Sequence, residues 1–141
     1  MSKINFYFHD RKYAIKDRKG LKRALEHIFR KEKTKLQKLD YVFCSDDFLL
    51  DINKKFLKHN YFTDIITFDL SRLKNQVEGE VYISIDRVID NAKTLKIPPK
   101  TELCRVIFHG ALHLCGYSDK KRGEIEIMRA KEEEYLTYFL K

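Results

Sequence analysis

Cysteine is scarce in this chain: Cys44, Cys104 and Cys115 are the three in 141 residues. An odd number at scattered spacings argues for neither a disulfide framework nor a CxxC metal knuckle, and it favours a reducing compartment. Long apolar runs are missing as well. None approaches the roughly 18 residues of a membrane span, and the opening MSKINFYFHD lacks the apolar core of a signal peptide. The expectation is a soluble, cytoplasmic protein with no membrane partner. Internal repeats, low-complexity tracts and linkers are absent too. The length is therefore read as one domain over residues 1–141, large enough for a hydrophobic core without staples.

Charge is abundant and uneven. Lys and Arg number 29 against 21 Asp and Glu, a net +8, which favours polyanionic partners, nucleic acid foremost. The excess is local: from Asp10 to Lys38 twelve basic residues face four acidic ones, a surplus as large as that of the whole chain. Clustered charge steers phosphate backbones better than scattered charge does, although a merely solvated helix face would read the same way.

Ile4, Phe6 and Phe8 alternate with Asn5, Tyr7 and His9, the period-two pattern of a strand with one buried face. Leu21, Ala24, Leu25, Ile28 and Phe29 fall at helical spacing and predict an amphipathic helix over residues 19–32. A second strand is expected over 39–44. A helix capped by Ser45 follows, burying Phe48, Leu49, Ile52 and Phe56 and ending near Leu57. The second half of YFTDIITFDL is β-rich and apolar enough for the middle of a sheet, and the nearby GEVYIS should pair with it as an antiparallel hairpin. Val88, Ile89, Ala92 and Leu95 line a short helix that Pro98 and Pro99 end. Thr101 is expected to cap the next helix, and a last one over 120–140 places Ile125, Met128, Tyr135 and Phe139 on one face. This order implies an α/β (α+β) fold, one mixed sheet of about four strands covered by helices.

Between residues 103 and 114 the helix is apolar on almost every side and should be buried. It leads into FHGALHLCGYSD, where His109 and His113 stand at i and i+4 and so point the same way. Gly116 lets the chain turn, and a chain doubling back there can bring Asp119 beneath the pair. The result is a three-ligand site with an open fourth position, the usual arrangement of catalytic zinc. Two other readings stay open. Asp119 or Ser118 could cap a helix starting at Lys120, and ordinary hydrogen bonds could satisfy the two imidazoles, each of which would cost on the order of 1–3 kcal/mol if buried unpaired. Cys115, at i+2 from His113, projects away and is read as a core residue.

Several segments together carry a family likeness: DINKKF, YFTDIITFDL, EGEVYIS, NAKT, and FHGALHLCGYSD followed by Met128 and a glutamate-rich helix. In these the chain resembles the YbeY family of bacterial endoribonucleases. Asn53 matches the family's asparagine, Thr63, Asp64 and Phe68 its TDVLSF-like strand, and Gly79 the glycine of the next strand. His109, Gly110, Leu112, His113, Leu114, Gly116 and Tyr117 match its HGxLHLxGYDH signature. The resemblance implies a zinc-dependent nuclease acting on single-stranded RNA, used in maturing small-subunit ribosomal RNA and in ribosome quality control. It also implies RNA, the small ribosomal subunit and a ribosome-associated GTPase as partners. Two positions depart from the family pattern: Asp119 stands where the signature ends in histidine, and Leu57 stands where the family has an arginine. Aspartate is an admissible zinc ligand, but it adds negative charge and makes a bound water less acidic than a third neutral imidazole would.

The expected chemistry is hydrolysis of an RNA phosphodiester by a zinc-bound water, with one Zn2+ per chain held by His109, His113 and Asp119. The same donors also suit nickel or iron. Lys58 or His59 would replace the missing arginine in holding the strand, together with the basic N-terminal quarter. No separate general base stands out. The spacing HxxxHxxGxxD also fits a metzincin-like metallopeptidase, but those enzymes place a glutamate after the first histidine, and Gly110 cannot take a proton. A third reading is a ribosome assembly factor with a structural metal and little catalysis.

Overall fold

The apolar stripe from Leu21 to Phe29 winds into a helix, α1 (Arg18–Lys31). Its first turn is closed by Asp17, whose side chain accepts from the Gly20 N–H, and Arg30 and Lys31 lie at the negative end of its dipole. The computed structural model describes residues 3–140; Met1, Ser2 and Lys141 of the expected domain lie outside the described residues. In order, the chain forms β1 (Ile4–Phe8), α1, β2 (Lys35–Cys44), α2 (Asp46–Ile52), a π-helical turn (Asn53–Leu57), β3 (Ile65–Asp69), β4 (Gln76–Ser84), α3 (Ile85–Leu95), α4 (Pro99–Leu114) and α5 (Arg122–Leu140). No helix among the described residues is long and apolar enough to cross a membrane.

The sheet runs β1-β2-β4-β3. β2 is parallel to both of its neighbours, and β3 joins β4 as the expected antiparallel hairpin. Period-two alternation sends Leu39, Tyr41 and Phe43 of β2 and Val81 and Ile83 of β4 to one face, where all are fully buried in the main core. α4 crosses that face with ten buried residues, as its near-continuous apolar sequence requires. The Tyr41 hydroxyl donates to the Ile107 carbonyl (2.7 Å), satisfying a phenol deep in the core and fixing α4 over β2. At Gly110 the helix lies so close to β4 that a Cβ would stand 2.9 Å from Val81 Cγ1. The opposite face of the sheet is covered over part of its width by α2, with Leu49 and Ile52 against Ile66 and Cys44.

Several expectations change. β3 lies at the edge of the sheet, not its middle, bonded to β4 alone. It reads as a central strand because both faces are covered: Ile65 lies near α4, and Ile66 and Phe68 pack with the α2 cluster. Phe56 is exposed, because the π turn inserts a wider backbone loop and rotates it off the helical stripe. α3 is ended by Lys96 in the left-handed region, with the Ile97 N–H returning to the Ala92 carbonyl, and not by the prolines. Pro98 and Pro99 instead open α4, so Thr101 lies inside its first turn and caps nothing. Leu95 at the end of α3 and Ile125 in the first turn of α5 are exposed, beyond where each helix meets the core.

Candidate metal centre

α4 carries His109 and His113 one turn apart on its one partly open face, their rings perpendicular with centroids 4.5 Å apart. The helix stops at Leu114, and Gly116 takes a φ of +105°, a conformation an L side chain resists. The chain then doubles back, placing Asp119 Oδ2 3.2 Å from His109 Nε2 and 3.6 Å from His113 Nε2. α5 begins only at Arg122, and its first turn is closed by Glu124, which accepts from the Lys121 N–H (2.9 Å). Asp119 is therefore not a helix cap.

The other ring nitrogens decide what this cluster can hold. His109 Nδ1 lies 2.6 Å from Glu132 Oε2, and His113 Nδ1 lies 2.9 Å from the Tyr117 carbonyl. Both partners only accept from a ring nitrogen, so both Nδ1 atoms carry the proton and both Nε2 atoms present a lone pair. Two lone pairs and a carboxylate oxygen, all within 4.8 Å of one another, then face a common point. Acceptors facing acceptors need a positive species between them. Burial, followed by the repulsion that a protonated His109 would exert, holds His113 below the ordinary histidine range, which disfavours an imidazolium there. A tetrahedral ion with bonds of about 2.0–2.2 Å keeps its ligands roughly 3.3–3.6 Å apart, close to the 3.2 and 3.6 Å that separate Asp119 Oδ2 from the two Nε2 atoms. The three residues fit a metal ion, and the donor set leaves its identity open.

Behind the histidines lies a buried network that the sequence did not disclose. Arg105, one turn before His109 on α4, binds Glu102 through two hydrogen bonds (2.8 and 2.7 Å), Glu132 through a third (3.1 Å), and lies 3.7 Å from Asp64. Burial alone would push the Glu132 carboxyl up, but the hydrogen bond from His109 and the charge on Arg105 outweigh it and hold the group ionised. Burial does raise Asp64, against the pull of Arg105 and His109. On the other side, the Tyr117 hydroxyl donates to Glu32 (2.6 Å), so the loop that positions His113 is tied to the end of α1. The i−4 spacing of Arg105 from His109 was a usable sequence signal. Glu132 gave none, being one of several glutamates on α5.

The triad opens onto a cleft of about 660 Å³. Leu57, His59 and Tyr61, from the segment around the end of the π turn, line it as well, as do Asp64 and Arg105. Of the two expected strand-holding residues, His59 therefore belongs to the cleft. Lys58 caps the π turn with a φ of 57°, exposed and outside the cleft lining.

Fold and cluster together define an α/β domain whose central helix presents a three-residue candidate metal site to an open cleft. The chain belongs to the endoribonuclease YbeY family, whose model matches residues 5–140. A protein named endoribonuclease YbeY from Cytophaga hutchinsonii is 48% identical over 134 residues, covering 95% of this chain and 94% of the relative. One of the same name from Amoebophilus asiaticus is 41% identical over 138 residues, covering 96% and 94%. The solution structure of TM1509 from Thermotoga maritima superposes with a TM-score of 0.65 at 26% identity, covering 94% of this chain and 86% of that one.

Proposed function

We propose that residues 1–141 form one hydrolase domain, a zinc-dependent endoribonuclease that cuts single-stranded RNA in the maturation and quality control of the small ribosomal subunit. The observation that carries the chemistry is the convergence of two Nε2 lone pairs and one carboxylate oxygen at an open cleft, in a chain whose relatives are named endoribonucleases. His109, His113 and Asp119 would hold the metal, which when bound supplies an acidified water and positive charge against the phosphoryl oxygens. Glu132 and the Tyr117 carbonyl hold the ring protons at Nδ1 and so keep both Nε2 atoms aimed inward. Asp64 is the cleft carboxyl that burial shifts upward, which suits it to carry a proton during the reaction. His59 from the cleft wall and the basic N-terminal quarter bear on the RNA backbone. The ribosomal assignment and a ribosome-associated GTPase partner rest on the family resemblance. A cytoplasmic setting agrees with three free cysteines.

The test incubates purified protein with end-labelled single-stranded RNA and, separately, a peptide library, with and without chelator, alongside His113→Ala. Chelator-sensitive RNA cleavage that disappears in the variant is the expected result. Cleavage that survives in His113→Ala would place the chemistry elsewhere. Peptide cleavage alone would favour the metallopeptidase reading, and no cleavage with retained binding to the small subunit would favour an assembly role.

A further inference from the structure

The segment from the π turn to β3 exposes more aromatic surface than a folded core requires. Phe56 is 64% exposed, Tyr61 56% and Phe62 47%. Lys54, Lys55 and Lys58 are interleaved with them, none has an ion-pair partner among the described residues, and no acidic residue occurs from Lys54 to Thr63. Singly exposed rings are ordinary on protein surfaces. Three within seven residues, in a stretch that carries three unpaired lysines and sends Leu57, His59 and Tyr61 to the cleft, form a different pattern; of the three rings, Phe62 already has the Arg87 guanidinium over it (5.4 Å).

The segment is also held in place. Asn53 is buried, its side-chain amide donates to the Tyr61 carbonyl (2.9 Å), and its own carbonyl accepts from the His59 N–H (3.1 Å), so one residue pins both ends of the loop. His59 and Tyr61 lie nearly parallel, with centroids 5.1 Å apart at 18°, and His59 Nδ1 is 2.9 Å from the Tyr61 hydroxyl. Phe56 stands edge-on to Phe68 (6.0 Å, 79°). Both His59 and Tyr61 line the cleft that holds His109, His113 and Asp119.

We infer that residues 54–62 form a stacking wall for a single-stranded nucleic acid entering the cleft. The His59–Tyr61 pair is the platform for the base next to the triad, Phe56 receives a base farther out, and the three lysines meet the phosphates. This rests on the endoribonuclease reading and deepens it. Every base has a π face, so such a wall accepts a strand of any sequence. A duplex keeps its bases stacked inside and cannot offer them to the rings. The lysines also add attraction to a cleft whose lining sets Asp64, Asp69 and Asp119 against Lys120 and an Arg105 already bound by Glu102 and Glu132. An acidic protein could use the lysines but would leave the rings without stacking partners.

The test measures fluorescence anisotropy with labelled oligouridine, an RNA duplex and polyglutamate, all in chelator so that no substrate is cut. Wild-type protein should bind oligouridine well above the other two. Tyr61→Ala should weaken oligouridine binding by about tenfold, within the range of one lost base stack, and Tyr61→Phe and Tyr61→Trp should restore it. Phe56→Ala, outside the cleft lining, should give a smaller loss in the same direction. Each of Lys54→Gln and Lys55→Gln should lower the salt-dependence slope by about 0.7. Thermal midpoints should match wild type, since Tyr61 and Phe56 are exposed. If wild-type protein binds oligouridine and Tyr61→Ala and Phe56→Ala bind it equally, the wall is overturned while the nuclease reading stands. If wild-type protein in chelator does not bind oligouridine at all, the wall is likewise overturned, because its rings and lysines act without the metal; the nuclease reading is decided separately, by the chelator-sensitive cleavage assay. Polyglutamate binding as tight as that of RNA, and lost in Tyr61→Ala, would make the wall a protein-docking surface and overturn the inference.

Discussion

Glu132→Gln separates a metal site from a hydrogen-bonded histidine pair more sharply than removal of a ligand would. The carboxylate is buried, with one oxygen 2.6 Å from His109 Nδ1 and the other 3.1 Å from Arg105 Nη1, and both neighbours donate. Glutamine has the same shape but only one accepting oxygen. If its oxygen meets Arg105, its amide N–H faces His109 Nδ1, which must then accept and move its proton to Nε2, where the lone pair is lost to a metal. If its oxygen meets His109, the amide opposes the Arg105 guanidinium, donor against donor. Either way one charge-assisted hydrogen bond is lost, about 1.5–3 kcal/mol, toward the lower end here because Arg105 keeps its two bonds to Glu102. Metal affinity should fall by about 10- to 100-fold, the usual cost of losing the group behind a ligating histidine. Competition against a chromophoric chelator gives the zinc affinity, urea denaturation of the metal-free protein gives the stability, and Glu133→Gln on the exposed face of α5 is the control. Reduced stability with unchanged zinc affinity would refute the reasoning, because Glu132 would then support the core and not the ligand.

Gly110→Ala puts a Cβ 2.9 Å from Val81 Cγ1 and 3.2 Å from Ile65 Cδ1, and should destabilise the fold by about 1–3 kcal/mol in chemical denaturation. Glu32→Gln probes the anchor of the site loop. Burial tends to raise this carboxyl, but hydrogen bonds from Tyr117, Tyr135 and Lys131 hold it below the ordinary glutamate value. A depressed folded-state pKa gives stability that is present above the unfolded value and lost as pH falls through the folded one. Wild-type protein should therefore melt above the variant at pH 7, with the gap closing below about pH 4. Asp119→His should keep metal binding and move the acid limb of the RNA-cleavage profile to lower pH, since a neutral imidazole leaves more positive charge on the bound water than a carboxylate does.

What could be read from the chain depended on whether the signal was local. His109 and His113 share one helix face, and the break that brings back Asp119 is written in Gly116, so the cluster follows from one short stretch. The strand and helix order is also local periodicity and matches the structure. Glu132 meets His109 only because α5 packs back on α4, a contact across 23 residues that no spacing rule contains. Extending a 3.6-residue period puts Phe56 in the core, but the backbone widens to a π turn over that segment, and the exposure of Phe56 follows from the change of register. The edge position of β3 was hidden because the helices on its two sides make it as apolar as a central strand.

Whether a cation sits where the three donors meet decides what the cleft can do. An anomalous-difference map from crystals of the as-purified protein, collected on both sides of the zinc edge, addresses this directly. It should show one peak about 2.0–2.2 Å from Nε2 of His109, Nε2 of His113 and a carboxylate oxygen of Asp119, with at least one remaining position facing the cleft. A peak at other residues, or a zinc-loaded crystal in which Asp119 points away and both Nε2 atoms bond to protein groups, would contradict it.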